Sequence, residues 1–354
     1  MKKIITSVLC ASLASPAFAV IELTDNLSLS GFGSTSWAKS DNDSPLIINN
    51  GFTDESCYDC DTTFGLQLDY FYNSFKASVQ VVKAPQFEWS DPQLEWAYLG
   101  YEFNDFDVSV GRLRLPLFLA SEYYYVGQAY MTARPPTEVY NSVLGITAFN
   151  GMKVRWTHDV SDEASLSLSP FFGIKDKNDV EFNSTTNLEF ETNRLFGANL
   201  QLSGDSYRWN LSFLDSNFDQ TVTTTIPGVP TPLKTEQDNQ HIQLWSLGAE
   251  YEFGQAIFAS EGQISDITSS MYASLGYHLG VFTPYIVYGA QFDDHEHLNG
   301  NSYLVGVDYD VLPNVSLNGE VQYFESRKSR GAFIDQPTDD TDAVLYTIML
   351  SFVF

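Results

Sequence analysis

Every second side chain is apolar in one segment of this chain after another, and a period of two is the signature of strands with one dry and one wet face. From Thr63 to Tyr72, one face carries Phe64, Leu66, Leu68, Tyr70 and Tyr72, and the other Thr63, Gly65, Gln67 and Asp69. Tyr207, Trp209, Leu211 and Phe213 alternate with Arg208, Asn210 and Ser212, and Leu166, Leu168 and Phe172 with Ser165, Ser167 and Ser169. A soluble sandwich shows this in a few strands, but here it runs the length of the chain with no helical segment of note. Past the first residues there is no run of about 18 apolar residues, so a membrane helix is excluded. The other structure that satisfies its backbone in hydrocarbon is a closed barrel, apolar and aromatic outside and polar within. A composition of 15% aromatic and only 18% charged residues fits that description.

Short and long connections alternate. Tight turns fall at Asn73-Ser74, Asn104-Asp105, Ser161-Asp162-Glu163, Gly204-Asp205-Ser206, Gly254-Gln255, near Gly280 and at Pro313-Asn314. Longer polar connections lie at 41–61, 86–92, 114–148, 178–192, 221–240, 266–270, 296–301 and 328–341. Seven turns and eight loops predict a transmembrane antiparallel up-and-down β-barrel of sixteen strands, with periplasmic turns and external loops. Tyr72, Phe75, Phe103, Phe106, Phe253 and Phe282 flank the turns on the apolar face, the pattern of an interfacial aromatic girdle. In the final segment Tyr346, Ile348, Leu350, Phe352 and Phe354 share the apolar face. Pairing this strand with the first, at about Leu27 to Lys39, removes both sheet edges. An apolar strand ending on Phe354 also resembles the signal by which the barrel-assembly machinery recognises its clients.

The first residues read as a secretory leader: Lys2 and Lys3, the apolar run Ile4 to Leu13, then Ala17-Phe18-Ala19. Residues 1–19 are the expected signal peptide and 20–354 the barrel domain. Leu9 before Cys10 argues against a lipoprotein, whose lipobox wants a small residue there. Removing a leader with two Lys and no acid leaves 16 Lys and Arg against 45 Asp and Glu, a net charge of −29. Such a field repels nucleic acid. It suits either a solvated acidic surface or a pore that favours cations. Cys57 and Cys60 then remain, expected as a small disulfide staple, since neither a thioredoxin-like pattern nor two further zinc ligands accompany them.

Enzyme chemistry finds no support. A barrel hydrolase needs a Ser and a His base on one accessible face. Of His158, His241, His278, His295 and His297, only His278 is clearly inward, near Ser274, and no Gly-x-Ser-x-Gly is present. No phosphate loop or metal cluster stands out and no cofactor is expected. A plugged transporter needs a far longer chain.

The sixteen strands, Phe354 and a long third loop together resemble the general porin family of Gram-negative bacteria. Gly111-Arg112 is similar to the step with which many porins enter that loop, and Phe282-Thr283-Pro284-Tyr285 and Gly306-Val307-Asp308-Tyr309 to porin strand patterns. The resemblance implies a homotrimer among outer-membrane lipid and lipopolysaccharide, and a third loop folded into the lumen. It also implies a water-filled channel for small hydrophilic solutes, here expected to prefer cations. This loop, about Arg114 to Phe149, departs from the family in being aromatic-rich, with only Glu122 and Glu138 as acids.

Parity places Lys76, Lys153, Arg155 and Arg208 inward among the bases, and Asp69, Glu102, Glu250, Glu252, Asp308, Asp310 and Glu320 among the acids. Lys153 and Arg155 follow the long loop directly and are the wall bases expected at a constriction with Arg112, Arg114, Glu122, Tyr123, Tyr124, Tyr125, Arg134 and Glu138. Arg112 and Arg114 point outward by alternation unless a bulge at Gly111 re-aims them. Tyr123, Tyr124, Tyr125, Tyr130 and Tyr140 invite two readings. They slide a sugar through a solute-selective channel, or they pack the loop against the wall, and packing is the better-founded of the two. Arg134-Pro135-Pro136 stiffens the loop by fixing φ at two positions.

Overall fold

The computed structural model describes residues 20–85, 92–144, 146–183, 185–226, 228–327, 330–335, 337 and 341–354. The leader expected at 1–19 and most of the connection at 86–92 lie outside the described residues. The chain forms β1 (Ile21–Thr24), β2 (Leu27–Ser40), β3 (Thr63–Tyr72), β4 (Phe75–Lys83), β5 (Gln93–Phe103), β6 (Phe106–Arg114), β7 (Ala148–Ser161), β8 (Ala164–Gly173) and β9 (Asp176–Asn183). There follow β10 (Thr186–Gly204), β11 (Tyr207–Thr224), β12 (Leu233–Phe253), β13 (Ala256–Ser265), β14 (Ser269–Tyr277), β15 (Phe282–Phe292), β16 (Leu298–Leu312), β17 (Val315–Ser326) and β18 (Asp342–Val353).

Sequential antiparallel pairing runs from β2 to β18, and β18 closes on β2 through Leu345 opposite Ser40 down to Val353 opposite Phe32. The barrel has sixteen staves. β8 and β9 both pair with β10, Gly173 opposite Leu195 and Asp176 opposite Thr192, and so form one stave interrupted at Ile174 and Lys175. β1 is a short extra hairpin arm, with Ile21 opposite Leu29 on the stretch of β2 that β18 does not reach.

Alternation divides the two faces as the sequence predicts. Leu66, Leu99, Val305 and Ile348 are at least half exposed on the outside, where lipid would cover them. Ser78, Ser109, Ser212, Ser246, Asn318 and Thr347 are buried on the inside. At the turn end Phe75 meets Tyr101 at 4.8 Å, Phe103 meets Phe106 at 5.4 Å and Phe282 meets Tyr309 at 4.7 Å, forming the outward girdle.

The seven tight turns lie where the sequence puts them. Two long loops need correction: residues 178–192 and 221–240 are largely strand, because pairing continues from Asp176 opposite Thr192 to Asn183 opposite Thr186, and on through β11 and β12. Val180, Leu188 and Phe190 are buried there with Phe218 and Val222 against them, and Lys177 pairs with Glu189 at 2.7 Å across strands. In 178–192 Asp179, Glu181, Glu189 and Glu191 between the few apolar residues disguise a strand pattern as loop, and in 221–240 the Pro- and Gly-rich stretch at 227–232 does so.

Candidate functional site: the lumen loop and its eyelet

The site begins with an irregularity in two strands. Gln80 pairs with Trp96 and Val81 with Leu94, so Glu95 is an extra, unpaired residue of β5. On the neighbouring strand Gly111, paired with Tyr98, has φ +139°, where a Cβ would lie 2.3 Å from the Ala97 carbonyl oxygen, so only glycine fits. Beyond Gly111, Arg114 turns inward: it is buried, ion-paired with Glu95, and its guanidinium lies 5.3 Å from the Tyr125 ring. Arg112 keeps its outward parity and pairs instead with Asp176 at 2.9 Å. The two arginines are thus separated: Arg114 lies among the residues of the inner loop, and Arg112 pairs with Asp176 instead.

From Leu115 the chain enters the barrel and leaves it at Thr147. Leu115, Leu117, Phe118, Val139 and Tyr140 pack on Leu195, Leu214, Leu244, Tyr285, Val287 and Leu304, an apolar patch on the inner wall. Buried backbone polar groups need partners there. Asn210 and Ser212 donate to the carbonyls of Leu117 and Pro116 at 3.1 and 3.0 Å. Glu261 accepts the Leu119 N–H at 2.7 Å and the Tyr140 hydroxyl at 2.9 Å. Glu320 accepts the Ala133 N–H at 2.7 Å and the Tyr285 hydroxyl at 2.8 Å. Arg134 reaches Asp61 at 2.7 Å and Thr347 at 3.1 Å, while Glu138 takes the Ser302 hydroxyl and lies over Gly289. The far tip of the loop comes close to the turn end, where Gln128 Nε2 donates to the Pro313 carbonyl at 3.2 Å.

The tyrosines pack. Tyr125 and Tyr140 are buried, Tyr124 lies 4.9 Å from Tyr125 and 5.9 Å from Tyr140, and Tyr123 lies 5.7 Å from Tyr130. All five loop tyrosines are buried or packed against the buried clusters of the loop and inner wall.

What does face water is a charged eyelet. Glu122 meets Arg155 at 2.5 Å, yet its side chain is 58% exposed and that of Arg155 37%. Side chains on the wall of a wet passage have this combination of close partner and solvent access. Arg208 bridges the Tyr123 hydroxyl at 2.5 Å and Glu250 at 2.8 Å. Lys76 lies 5.5 Å from the Tyr98 ring, and Lys153 follows on β7 two residues before Arg155, on the same face. Below the eyelet, Asp69, Glu102, Asp107, Glu250, Asp308 and Asp310 all lie on strand ends near short turns.

Of the expected constriction residues, Glu122, Tyr123, Lys153 and Arg155 come together at the eyelet, and Arg114, Tyr124, Tyr125, Arg134 and Glu138 anchor the loop. Glu95, Asp61 and Glu261 were missed. Glu261 carried a usable signal, since it shares the inner face with Ala259 and Gln263 by parity. Glu95 did not, because the bulge breaks its parity. Cys57 and Cys60 are bonded, with Cα atoms 5.9 Å apart, in the loop that supplies Asp61. His278 Nδ1 lies 3.0 Å from Thr283, and Ser274 donates to the Ala259 carbonyl, so the two do not form a base and nucleophile.

No protein-family profile matches the chain, and no curated protein sequence matches it. Its fold is found among solved structures. An anion-selective porin from Comamonas acidovorans is 14% identical with a TM-score of 0.61, over 93% of this chain and 99% of that one. OmpF of Salmonella typhi, in complex with daunomycin, is 12% identical with a TM-score of 0.60, over 95% and 100%. OmpT of Vibrio cholerae is 11% identical with a TM-score of 0.58, again over 95% and 100%. At these identities the likeness is one of fold: a closed sixteen-stranded barrel like those of Gram-negative porins.

Proposed function

We propose that this chain is an outer-membrane porin, a water-filled channel for passive diffusion of small hydrophilic solutes and ions, with a preference for cations. The reading rests on the eyelet. Glu122 and Arg155 are paired and solvent-exposed in a barrel whose lumen is partly filled by a loop packed on its inner wall. A passage that is wet at its constriction filters by size and by wall charge. The apolar outer band suits it to lipid and lipopolysaccharide, and the likeness to porins supports a homotrimer of non-enzymatic channels.

The cation preference follows from how charges are matched. Arg155 faces Glu122 and Arg208 faces Glu250, which neutralises these two eyelet bases and leaves Lys76 and Lys153 as the others. Asp69, Glu102, Asp308 and Asp310 then leave a net negative lining toward the turn end, and acidic rings favour cations. Burial of the tyrosines argues for a general filter over a sugar-selective track. The test is a zero-current potential across a planar bilayer in a salt gradient. A cation-selective potential with stable open steps is expected, whereas an anion-selective one overturns the preference and absence of conductance overturns the channel.

A further inference from the structure

The loop between β15 and β16 carries Asp293-Asp294-His295-Glu296-His297, two of the five histidines of the chain within three residues. It lies at the loop end, away from the eyelet, and nothing in the passage requires it. Asp293 is the centre of the turn. Its Oδ1 accepts the N–H groups of His295 at 2.9 Å and His297 at 2.8 Å, and the turn tightens through Glu296, whose φ is +62°. The other Asp293 oxygen, Oδ2, lies 3.2 Å from His297 Nδ1, and Asp294 Oδ1 lies 2.6 Å from His295 Nδ1. The two imidazole rings stand 6.2 Å apart and 20° from parallel.

We propose that this turn is a binding site for a divalent transition metal ion, with His295, His297, Asp293 and Asp294 as ligands. The donor atoms of Asp293, Asp294 and His295 already lie within 4.8 Å of one another, and His297 Nδ1 adjoins the same carboxylate. Two imidazoles with two carboxylates is a set that zinc, copper and nickel accept. Calcium and magnesium take oxygen ligands, so a merely acidic turn would bind those instead. The imidazoles are what mark this turn apart from the other acidic loops. His295 is 73% exposed and His297 53%, so an ion reaches them from solvent without any rearrangement of the barrel.

The test is calorimetric titration of tag-free full-length protein in detergent with zinc chloride, in the presence of excess calcium chloride. One zinc per chain is expected. A His295→Ala/His297→Ala variant should weaken binding by more than about 10-fold. A His241→Ala variant should leave it unchanged, because His241 lies on β12, outside the turn. Both variants leave the strand ladders intact, which heat-modifiability on a gel verifies. No binding, binding that survives the double substitution, or zinc displaced by calcium each overturns the proposal.

Discussion

Phe354 and Gly31 close the barrel together: their backbones exchange two hydrogen bonds, at 2.8 and 2.9 Å, and the Phe354 ring lies on the side of Gly31 where a Cβ would be. Such a Cβ would stand 2.4 Å from the ring. Phe352 and Phe64 cover Gly33 in the same manner. Glycine weakens a strand because it offers no side chain to pack, and a neighbouring aromatic ring supplies the missing cover. The seam between β18 and β2 is therefore held on its lipid side by rings over glycines.

This seam predicts a coupling between the two positions. Gly31→Ala should destabilise the barrel, because the ring must leave. In a Phe354→Ala background the same substitution should cost less or become favourable. The expected interaction energy is about 0.5–1.5 kcal/mol, the range for aromatic contacts. Guanidinium unfolding of the four proteins in lipid vesicles measures it, and additive costs would mean the ring does not matter to Gly31.

Glu261 makes a second prediction, about the loop rather than the barrel. It gives acceptors to the buried Leu119 N–H and the Tyr140 hydroxyl. Glu261→Ala leaves both short of a partner, at about 1–3 kcal/mol for each unsatisfied group. The strand ladders keep all their bonds, so unfolding in denaturant should change little. The loop should instead leave its seat more often, and single-channel traces should show added open-channel noise and brief closures. A quiet trace identical to the unaltered protein would count against the clamp.

Much of this was legible in the sequence, and the reasons for the rest are specific. Strand faces, turns and closure follow from a period of two, which the sequence states directly. The inward turn of Arg114 depends on one unpaired residue, Glu95, on a neighbouring strand, which no alternation along β6 reveals. The path of the loop rests on contacts such as Ala133 with Glu320 and Tyr140 with Glu261, separated by 187 and 121 residues. Pattern reading reaches only neighbours in sequence. The extended strands β9 and β10 were hidden for the opposite reason, since their pattern is local but diluted by charge.

Adjacent residues on opposite faces provide a third test. Leu66 is 55% exposed on the outer wall, while Gln67 is inward and bonded to Asp69 and Gln80. Leu66→Arg puts a charge toward the hydrocarbon and should cost about 2–4 kcal/mol near the midplane. Gln67→Arg places the same charge in the lumen beside Asp69 and should be nearly neutral. Equal costs in vesicle unfolding would contradict the assignment of faces.

The Glu122–Arg155 pair tests the passage itself. Each charge cancels the other, so removing either should expose the survivor to passing ions. Arg155→Ala frees a carboxylate and should raise cation preference, while Glu122→Gln frees a guanidinium and should lower it. A single unpaired charge about 8 Å from an ion in water is worth about 0.5 kcal/mol, or about a two-fold change in permeability ratio. The shifts should be largest in dilute salt, because at 0.1 M the screening length is about 10 Å. The double variant restores neutrality and should return the zero-current potential close to its starting value. Opposite shifts that cancel in the double variant are the signature of a pair lining the ion path. If neither single variant moves the potential, ions pass elsewhere and the eyelet is not the filter.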